Sequence, residues 1–202
     1  ISSITDVRTR DGNMEKVKGT ASIGLLDGRI QVEGPISKNR TSFNISLRRS
    51  WMDLLLRPAC AIANKGNEDK YNLGYMFHDF NAKLTHHVNN HTTLWTSLYS
   101  GYDNYSVIDK SMWGDNVNDT ENRMTWGNLN ATLGGDFQIS STLLMQTMLT
   151  ATYSYSRQKY NEEDYDIVER GGHRRNYLDT RLNSTQMIDI AAHANFNWQP
   201  TS

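Results

Sequence analysis

The connections between alternating apolar and polar stretches fall into two kinds, and each kind lies mostly at one end of the predicted strands. At one end they are tight polar turns, at 36–40, 87–91 and 138–141. At the other end most are long polar segments rich in Tyr and Asp, at 53–70, 106–123 and 158–183. Soluble β-sandwiches rarely sort their loops by end in this way. Outer-membrane β-barrels do, with short periplasmic turns and long extracellular loops.

The alternation predicts eight strands, several of them longer than ten residues. Soluble strands usually have about 5–6 residues, whereas about 9–11 tilted residues span a bilayer. One face of the predicted strands carries Asn, Ser, Asp and Gln in mid-strand, which suits a watery lumen better than a buried core. The opposite face, predicted to meet lipid, carries Ile23, Val32, Phe43, Ile45, Leu84, Leu94, Leu98, Leu133, Leu149, Ile190 and Phe196.

These patterns predict an all-β fold, an antiparallel up-and-down meander that forms part of an outer-membrane β-barrel. Asp27-Gly28 predicts a two-residue hairpin turn. The segment 52–58 could start a short helix or form a folded-in loop. Aromatic residues at the predicted strand ends suggest girdles at the membrane interfaces. They are Trp51, Tyr71, Tyr75, Tyr99, Tyr102, Tyr105, Trp126, Tyr153, Tyr155, Tyr160 and, near the opposite end, Trp198.

Composition excludes several classes of protein. The net charge is −1, so the chain has no global basic surface for nucleic acid. Mean hydropathy is −0.66 and no run of about 18 apolar residues occurs, so membrane-spanning helices are not expected. Cys60 is the only cysteine, and we expect a buried or shielded thiol. The chain begins at Ile1 without a signal peptide, so we expect a processed or cut N-terminus and a fragment of a longer protein.

No residue pattern indicates catalysis, a cofactor or a metal centre. The sequence has no nucleophile elbow and no spacing typical of a histidine base. Residues 115–119 superficially resemble a Ca²⁺ loop but lack the required glycine and terminal glutamate, so an irregular Ca²⁺ site is only a minor alternative. We therefore predict no enzyme. Ligand contacts, if any, are expected in the long loops, at Tyr102, Tyr105, Trp113, Asp115, Asp119, Tyr160, Tyr165, Arg174, Arg175 and Tyr177.

Two groups of segments carry a resemblance to a known family. Residues 4–13, ITDVRTRDGN, resemble the last plug-domain strand of TonB-dependent outer-membrane receptors. Residues 19–26, 31–36 and 41–55 resemble the first barrel strands of Bacteroidetes members, and 77–83 and 126–128 fit the same pattern. The resemblance implies that residues 1–14 are the tail of a plug domain. It implies that residues 15–202 are the N-terminal portion of the barrel.

The family implies a 22-stranded barrel closed by a plug, of which this chain would supply about eight strands. It implies active uptake of a nutrient, such as a glycan or a siderophore, across the outer membrane of a Gram-negative cell. The expected partners are TonB–ExbB–ExbD, outer-membrane lipid and, for glycans, a SusD-like lipoprotein. An isolated fragment would expose two sheet edges, so we also expect edge-to-edge self-association.

Two other classes remain as alternatives. A passive porin-like channel would need no plug. A soluble extracellular carbohydrate-binding β-sandwich would pack apolar residues from two sheets against each other.

Overall fold

A computed structural model describes residues 9–168 and 172–199, and these residues form one antiparallel sheet of eight strands in sequence order. The predicted all-β meander is therefore confirmed. The outermost strands, β1 and β8, are the two edges of the sheet. The strands are β1 (Lys18–Ile23), β2 (Asp27–Ser37), β3 (Thr41–Ser50), β4 (Lys70–Asn89), β5 (Thr92–Trp113), β6 (Asn116–Ser140), β7 (Leu143–Val168) and β8 (Gly172–Trp198), and a helix, α1 (Met52–Ala63), joins β3 to β4.

The register places all of the predicted lipid-facing residues on one face of the sheet, here called the apolar face. Residues directly opposite each other in an antiparallel ladder point to the same side. One such row crosses the sheet from β2 to β8 as Val32, Ile45, Ala82, Leu98, Ala131, Ala151 and Ile190. The other face, here called the polar face, carries the intervening residues.

The sheet has no conventional core. Among the described residues the only buried hydrophobic side chain is that of Val117. Side chains of the apolar face stay open, with Leu133 59% exposed and Ile190 71% exposed. A soluble sheet normally covers such a face with a second layer, and the described part of the chain supplies none.

Two of the predicted long loops are instead continuations of the strands, so that part of the prediction is wrong. The β5–β6 ladder runs to Trp113 opposite Asn116, and the β7–β8 ladder runs to Val168 opposite Gly172. Gly114, at φ +62°, makes the tight turn between β5 and β6. Both faces of these extensions mix polar and apolar residues, so the alternation that marks a half-buried strand is absent although the backbone ladder persists.

The predicted hairpin at Asp27-Gly28 lies slightly earlier in the chain. The turn occupies residues 24–26, where the Gly24 amide donates to the Asp27 carbonyl at 2.7 Å, and Asp27 and Gly28 begin β2. A side chain at Gly28 would collide with the indole of Trp51. Glycine is therefore needed there for close packing and not for a turn.

Candidate functional site: two faces and the extension end

The polar face carries two tyrosine–aspartate pairs at mid-height. The Tyr99 hydroxyl donates to Asp79 Oδ1 at 2.9 Å, and the Tyr75 hydroxyl donates to Asp103 Oδ1 at 2.9 Å. Each pair joins β4 to β5 across the sheet. The hydrogen bonds fix the orientation of two carboxylates on a face that is otherwise rich in amides and hydroxyls.

A shallow pocket of about 420 Å³ lies beside these pairs on the polar face. Tyr99, Asp103, Trp126 and Asn128 contribute to its lining. Its floor includes Gly101, where an added Cβ would lie 2.7 Å from the Tyr99 hydroxyl and 2.9 Å from Asn128 Oδ1. An aromatic ring with a few converging polar groups is the usual lining of a small-molecule site.

The sequence prediction did not include Tyr99, Asp103 or Trp126 among the ligand contacts. It placed Tyr99 and Trp126 in a membrane girdle. The alternation along each strand could have identified them as polar-face residues, because each lies one position away from residues of the apolar face. Tyr71, Tyr75, Tyr105 and Tyr160 of the predicted girdle also lie on the polar face by register, opposite the residues predicted to meet lipid.

Residues 9–14 lie against the polar face of β2 to β4. Arg10 pairs with Glu33 at 2.7 Å, and the Asn44 side chain donates to the Arg10 carbonyl at 2.9 Å. Lys83 donates to the Thr9 carbonyl at 2.9 Å and pairs with Asp11 at 2.8 Å. The described part of the predicted plug tail is therefore held by charged and polar bonds on the polar side of the sheet, and its residues 1–8 lie outside the described residues.

The predicted ligand contacts gather at the end of the sheet where the β5–β6 and β7–β8 hairpins project, here called the extension end. Asp115 lies in the turn after β5, and the other nine lie on strands and not in loops. By register, the apolar-face side carries Tyr102, Asp119, Tyr165 and Arg175, and the polar-face side carries Tyr105, Trp113, Tyr160, Arg174 and Tyr177. The sheet therefore separates these residues into two groups and does not form one site from them.

Several of the same residues are engaged in cross-strand bonds at the extension end. Lys110 Nζ donates to the Tyr165 hydroxyl at 2.8 Å, and this hydrogen bond raises the pKa of Lys110. Arg175 Nε donates to Glu163 Oε1 at 2.6 Å, and Arg174 pairs with Asp166 at 3.2 Å. These bonds connect neighbouring strands of the extended hairpins, so they stabilise the strands that the sequence prediction treated as loops.

The Asp166 carboxylate accepts hydrogen bonds from side chains on both neighbouring strands. Hydrogen bonds from Asn176 and Asn116, with a further contribution from Arg174, hold the pKa of Asp166 below its usual value. Asn116 lies directly opposite Asp166 in the β6–β7 ladder, and Arg174 lies opposite it in the β7–β8 ladder. A carboxylate so engaged supports the hairpin as long as it stays ionised.

The segment 115–119 does not form a converging ligand set. Asn116 and Asn118 lie on one side of β6, and Val117 and Asp119 lie on the other. In the described part of the chain, no three His, Cys, Asp or Glu side chains are grouped so that they could hold a metal ion.

No helix among residues 9–168 and 172–199 has the length and apolar character needed to cross a membrane.

Comparison with known proteins found no matching family model, no matching curated protein and no matching solved structure.

Proposed function

We propose that the chain forms part of the wall of an outer-membrane β-barrel, in a TonB-dependent receptor for nutrient uptake. The observation that carries the proposal is a set of successive rows on the apolar face without any charged or amide side chain. One is the Val32–Ile190 row. The row on its turn side contains Phe43, Leu84, Thr96, Leu133, Leu149 and Ala192, and the row on its other side contains Ile30, Leu47, Phe80, Ser100, Leu129, Tyr153 and Ile188.

At the same height the polar face carries full charges. Glu33, Lys83, Asp79 and Asp189 occupy the intervening positions. Burying charges against a second apolar layer would be expensive even where they are paired, whereas a water-filled lumen solvates them. A sheet with one uncharged face and one charged face suits a wall between lipid and water.

The height of the apolar region also supports the proposal. On β7 it extends from Leu143 to Tyr155, and Arg157 is the next residue on that face. Twelve residues at about 3.4 Å each give roughly 41 Å along the strand. For strands inclined by about 35–45°, this corresponds to a height of about 29–33 Å, enough to span the roughly 25 Å of a barrel's apolar belt.

The docked segment 9–14 favours a plugged receptor over the passive porin-like channel. In a receptor, the chain passes from a plug inside the lumen into the first barrel strand, so it should contact the lumen face of the early strands. Arg10 and Asp11 make such contacts with Glu33, Lys83 and Thr85 on the polar face. The β-sandwich alternative needs a second sheet, and the described residues form a single one.

In this proposal the free edges of β1 and β8 pair with further strands of a 22-stranded barrel, and the extension end faces the outside of the cell. Uptake would be driven by TonB–ExbB–ExbD, with a glycan or siderophore as the class of nutrient and a SusD-like lipoprotein as partner for a glycan. Self-association of the isolated chain through these edges stays a prediction.

Neighbouring alanines on β8 provide a matched test. Ala192 lies on the apolar face near mid-height, and Ala191 lies on the polar face. In the full-length protein folded into lipid vesicles, Ala192→Arg should lower the free energy of unfolding by about 2–4 kcal/mol, because it places a charge in lipid. Ala191→Arg should change it by less than about 1 kcal/mol. Equal losses, measured by urea titration, would contradict the proposed faces.

A further inference from the structure

A basic patch, formed by Arg123, Arg157 and Lys159, lies on the apolar-face side just beyond the uncharged rows. The last aromatic row on that face contains Tyr102, Gly127 and Tyr155 on β5 to β7, and its one charged residue, Arg49 on β3, is paired with Asp53. Arg157 follows Tyr155 as the next residue of β7 on the same face. Lys159 comes next on that strand, directly opposite Arg123 of β6. The patch therefore begins where the apolar region ends.

The pairing inside the basic patch is unfavourable without an anion. Arg123 and Lys159 are like charges directly opposite each other, an arrangement that destabilises a sheet. Arg157 lies on the same face, diagonal to Arg123. The nearest acid is Glu121, which accepts from Arg123 Nη2 at 2.9 Å and leaves that arginine half-exposed. Within the described residues, Arg157 and Lys159 have no ion pair.

The next charged groups lie farther towards the extension end. Lys110, Asp119 and Glu163 share a row there, and Arg175 neutralises Glu163. None of these acids is opposite the basic patch in the ladder. The patch thus combines two arginines and a lysine with one acid, in an exposed position beside the aromatic row.

We propose that the basic patch binds the phosphate groups of a lipid headgroup in the outer leaflet. The inference rests on the proposed membrane position of the sheet. Arginine binds phosphate through paired N–H donors, and basic clusters at the membrane surface recognise anionic headgroups. The aromatic row sits where acyl chains meet headgroups, so the patch lies at the depth of the phosphates. The bound phosphate also relieves the repulsion between Arg123 and Lys159.

The test compares binding of diphosphorylated lipid A with binding of fully dephosphorylated lipid A to the full-length protein in detergent, by native mass spectrometry. The variant Arg123→Gln/Arg157→Gln/Lys159→Gln should bind the diphosphorylated lipid at least about tenfold more weakly than the unmodified protein. Its binding of the dephosphorylated lipid should not change. The matched control, Lys16→Gln/Lys18→Gln/Lys38→Gln, removes the same charge near the short turns and should bind like the unmodified protein.

Added inorganic phosphate separates the two sources of the anion. Failure of millimolar phosphate to displace the lipid supports a headgroup site, whereas complete displacement overturns it in favour of free phosphate. Equal lipid binding by the patch variant and the control variant also overturns the proposal. The single variant Arg157→Gln, checked for folding by circular dichroism, should weaken binding even if the triple variant does not fold. If the patch variants bind lipid A normally but Ala192→Arg and Ala191→Arg differ in stability as expected, the lipid-binding proposal is rejected and the proposed barrel wall is not.

Discussion

Glycines on the sheet mark places where a large side chain lies across the backbone. Gly134 is directly opposite Trp95, and the indole covers the position where a Cβ would stand. Lys83 Nζ lies 5.1 Å from the centroid of the Trp95 ring, which adds a cation–π contact on the polar face. Glycine there is required by packing, because φ at Gly134 is not in the left-handed region.

Gly134→Ala should therefore destabilise the folded protein. Trp95 would have to leave its position, and overpacking of this kind costs about 1–3 kcal/mol. Gly19→Ala is the control, because its nearest atom would be the Gln31 carbonyl oxygen at 3.8 Å, an ordinary contact. Urea unfolding of the full-length protein should show a change within about 0.5 kcal/mol for Gly19→Ala. A Gly134→Ala protein as stable as the Gly19→Ala protein would contradict the packing argument.

The docked segment 9–14 should respond to acid through Asp11. Burial alone would raise the pKa of Asp11, but hydrogen bonds from Lys83 and Thr85 outweigh it and hold the pKa below its usual 3.8. The stabilisation is therefore complete above pH 3.8 and is lost as the pH falls through the lower pKa of the docked state.

A dye attached at the exposed position of Glu15 can follow release of the segment 9–14 from the sheet by fluorescence anisotropy between pH 7 and pH 2. The unmodified protein should show the segment becoming mobile in the acid range. Asp11→Asn should lack the part of that transition that comes from protonation of Asp11. The part that remains would come from other groups, such as the neighbouring Arg10–Glu33 pair. Identical acid transitions in the two proteins would exclude Asp11 as the holding group.

At the scale of single elements, α1 covers the part of β4 that β3 leaves unpaired. The β3–β4 ladder ends at Arg49 opposite His78, while β4 begins at Lys70. Asn64, at the end of α1, both donates to the Tyr71 carbonyl at 2.6 Å and accepts from the Tyr71 amide at 2.9 Å. The side-chain amide of Asn64 thus makes the two hydrogen bonds to the Tyr71 backbone that a neighbouring strand would otherwise make.

The thiol of Cys60 extends the same cover of the β4 edge. Cys60 Sγ accepts from the Leu73 amide at 3.4 Å, so the half-buried thiol satisfies another backbone group. An exposed strand edge is a template for unwanted pairing, and the helix removes that template here.

Asn64→Ala should expose this edge of β4. The amide of Tyr71 should exchange with deuterium about 2- to 10-fold faster, as expected for the loss of one hydrogen bond. Asn67→Ala is the control, because the Asn67 side chain donates to the Ala63 carbonyl at the helix end and not to β4. Unchanged exchange at Tyr71 in Asn64→Ala would show that the helix does not protect the edge.

Strands were predictable from the sequence only where their two faces differ. Thr41–Ser50 alternates apolar and polar residues, and the sequence located it well. The outer parts of β5 to β8 mix polar and apolar residues on both faces, so their residues resemble a loop until cross-strand pairs such as Arg175–Glu163 are known. A helix starting within 52–58 was only one of two options, because no residue of α1 is buried and no apolar face marks the helix clearly.

At the scale of the whole molecule, one apolar face has no covering layer in the described residues. The alternation predicted which residues share that face, and the register confirms it for every member from Ile23 to Phe196. The contents of the polar face were less predictable. Pairs such as Tyr99–Asp79 depend on the register between β4 and β5, which a single sequence does not specify. The pocket and the basic patch depend in the same way on the register of β5 to β8.

The central claim is that the apolar face meets lipid and the polar face meets water. Spin labels placed singly at residues 187–194 of β8, in full-length Cys60→Ser protein reconstituted into vesicles, test it most directly. Labels at 188, 190, 192 and 194 should be highly accessible to oxygen, most of all near Ile190 and Ala192, and labels at the intervening residues should not. A water-soluble nickel reagent should give the opposite pattern. Equal access of the reagent to both sets of positions would contradict the account.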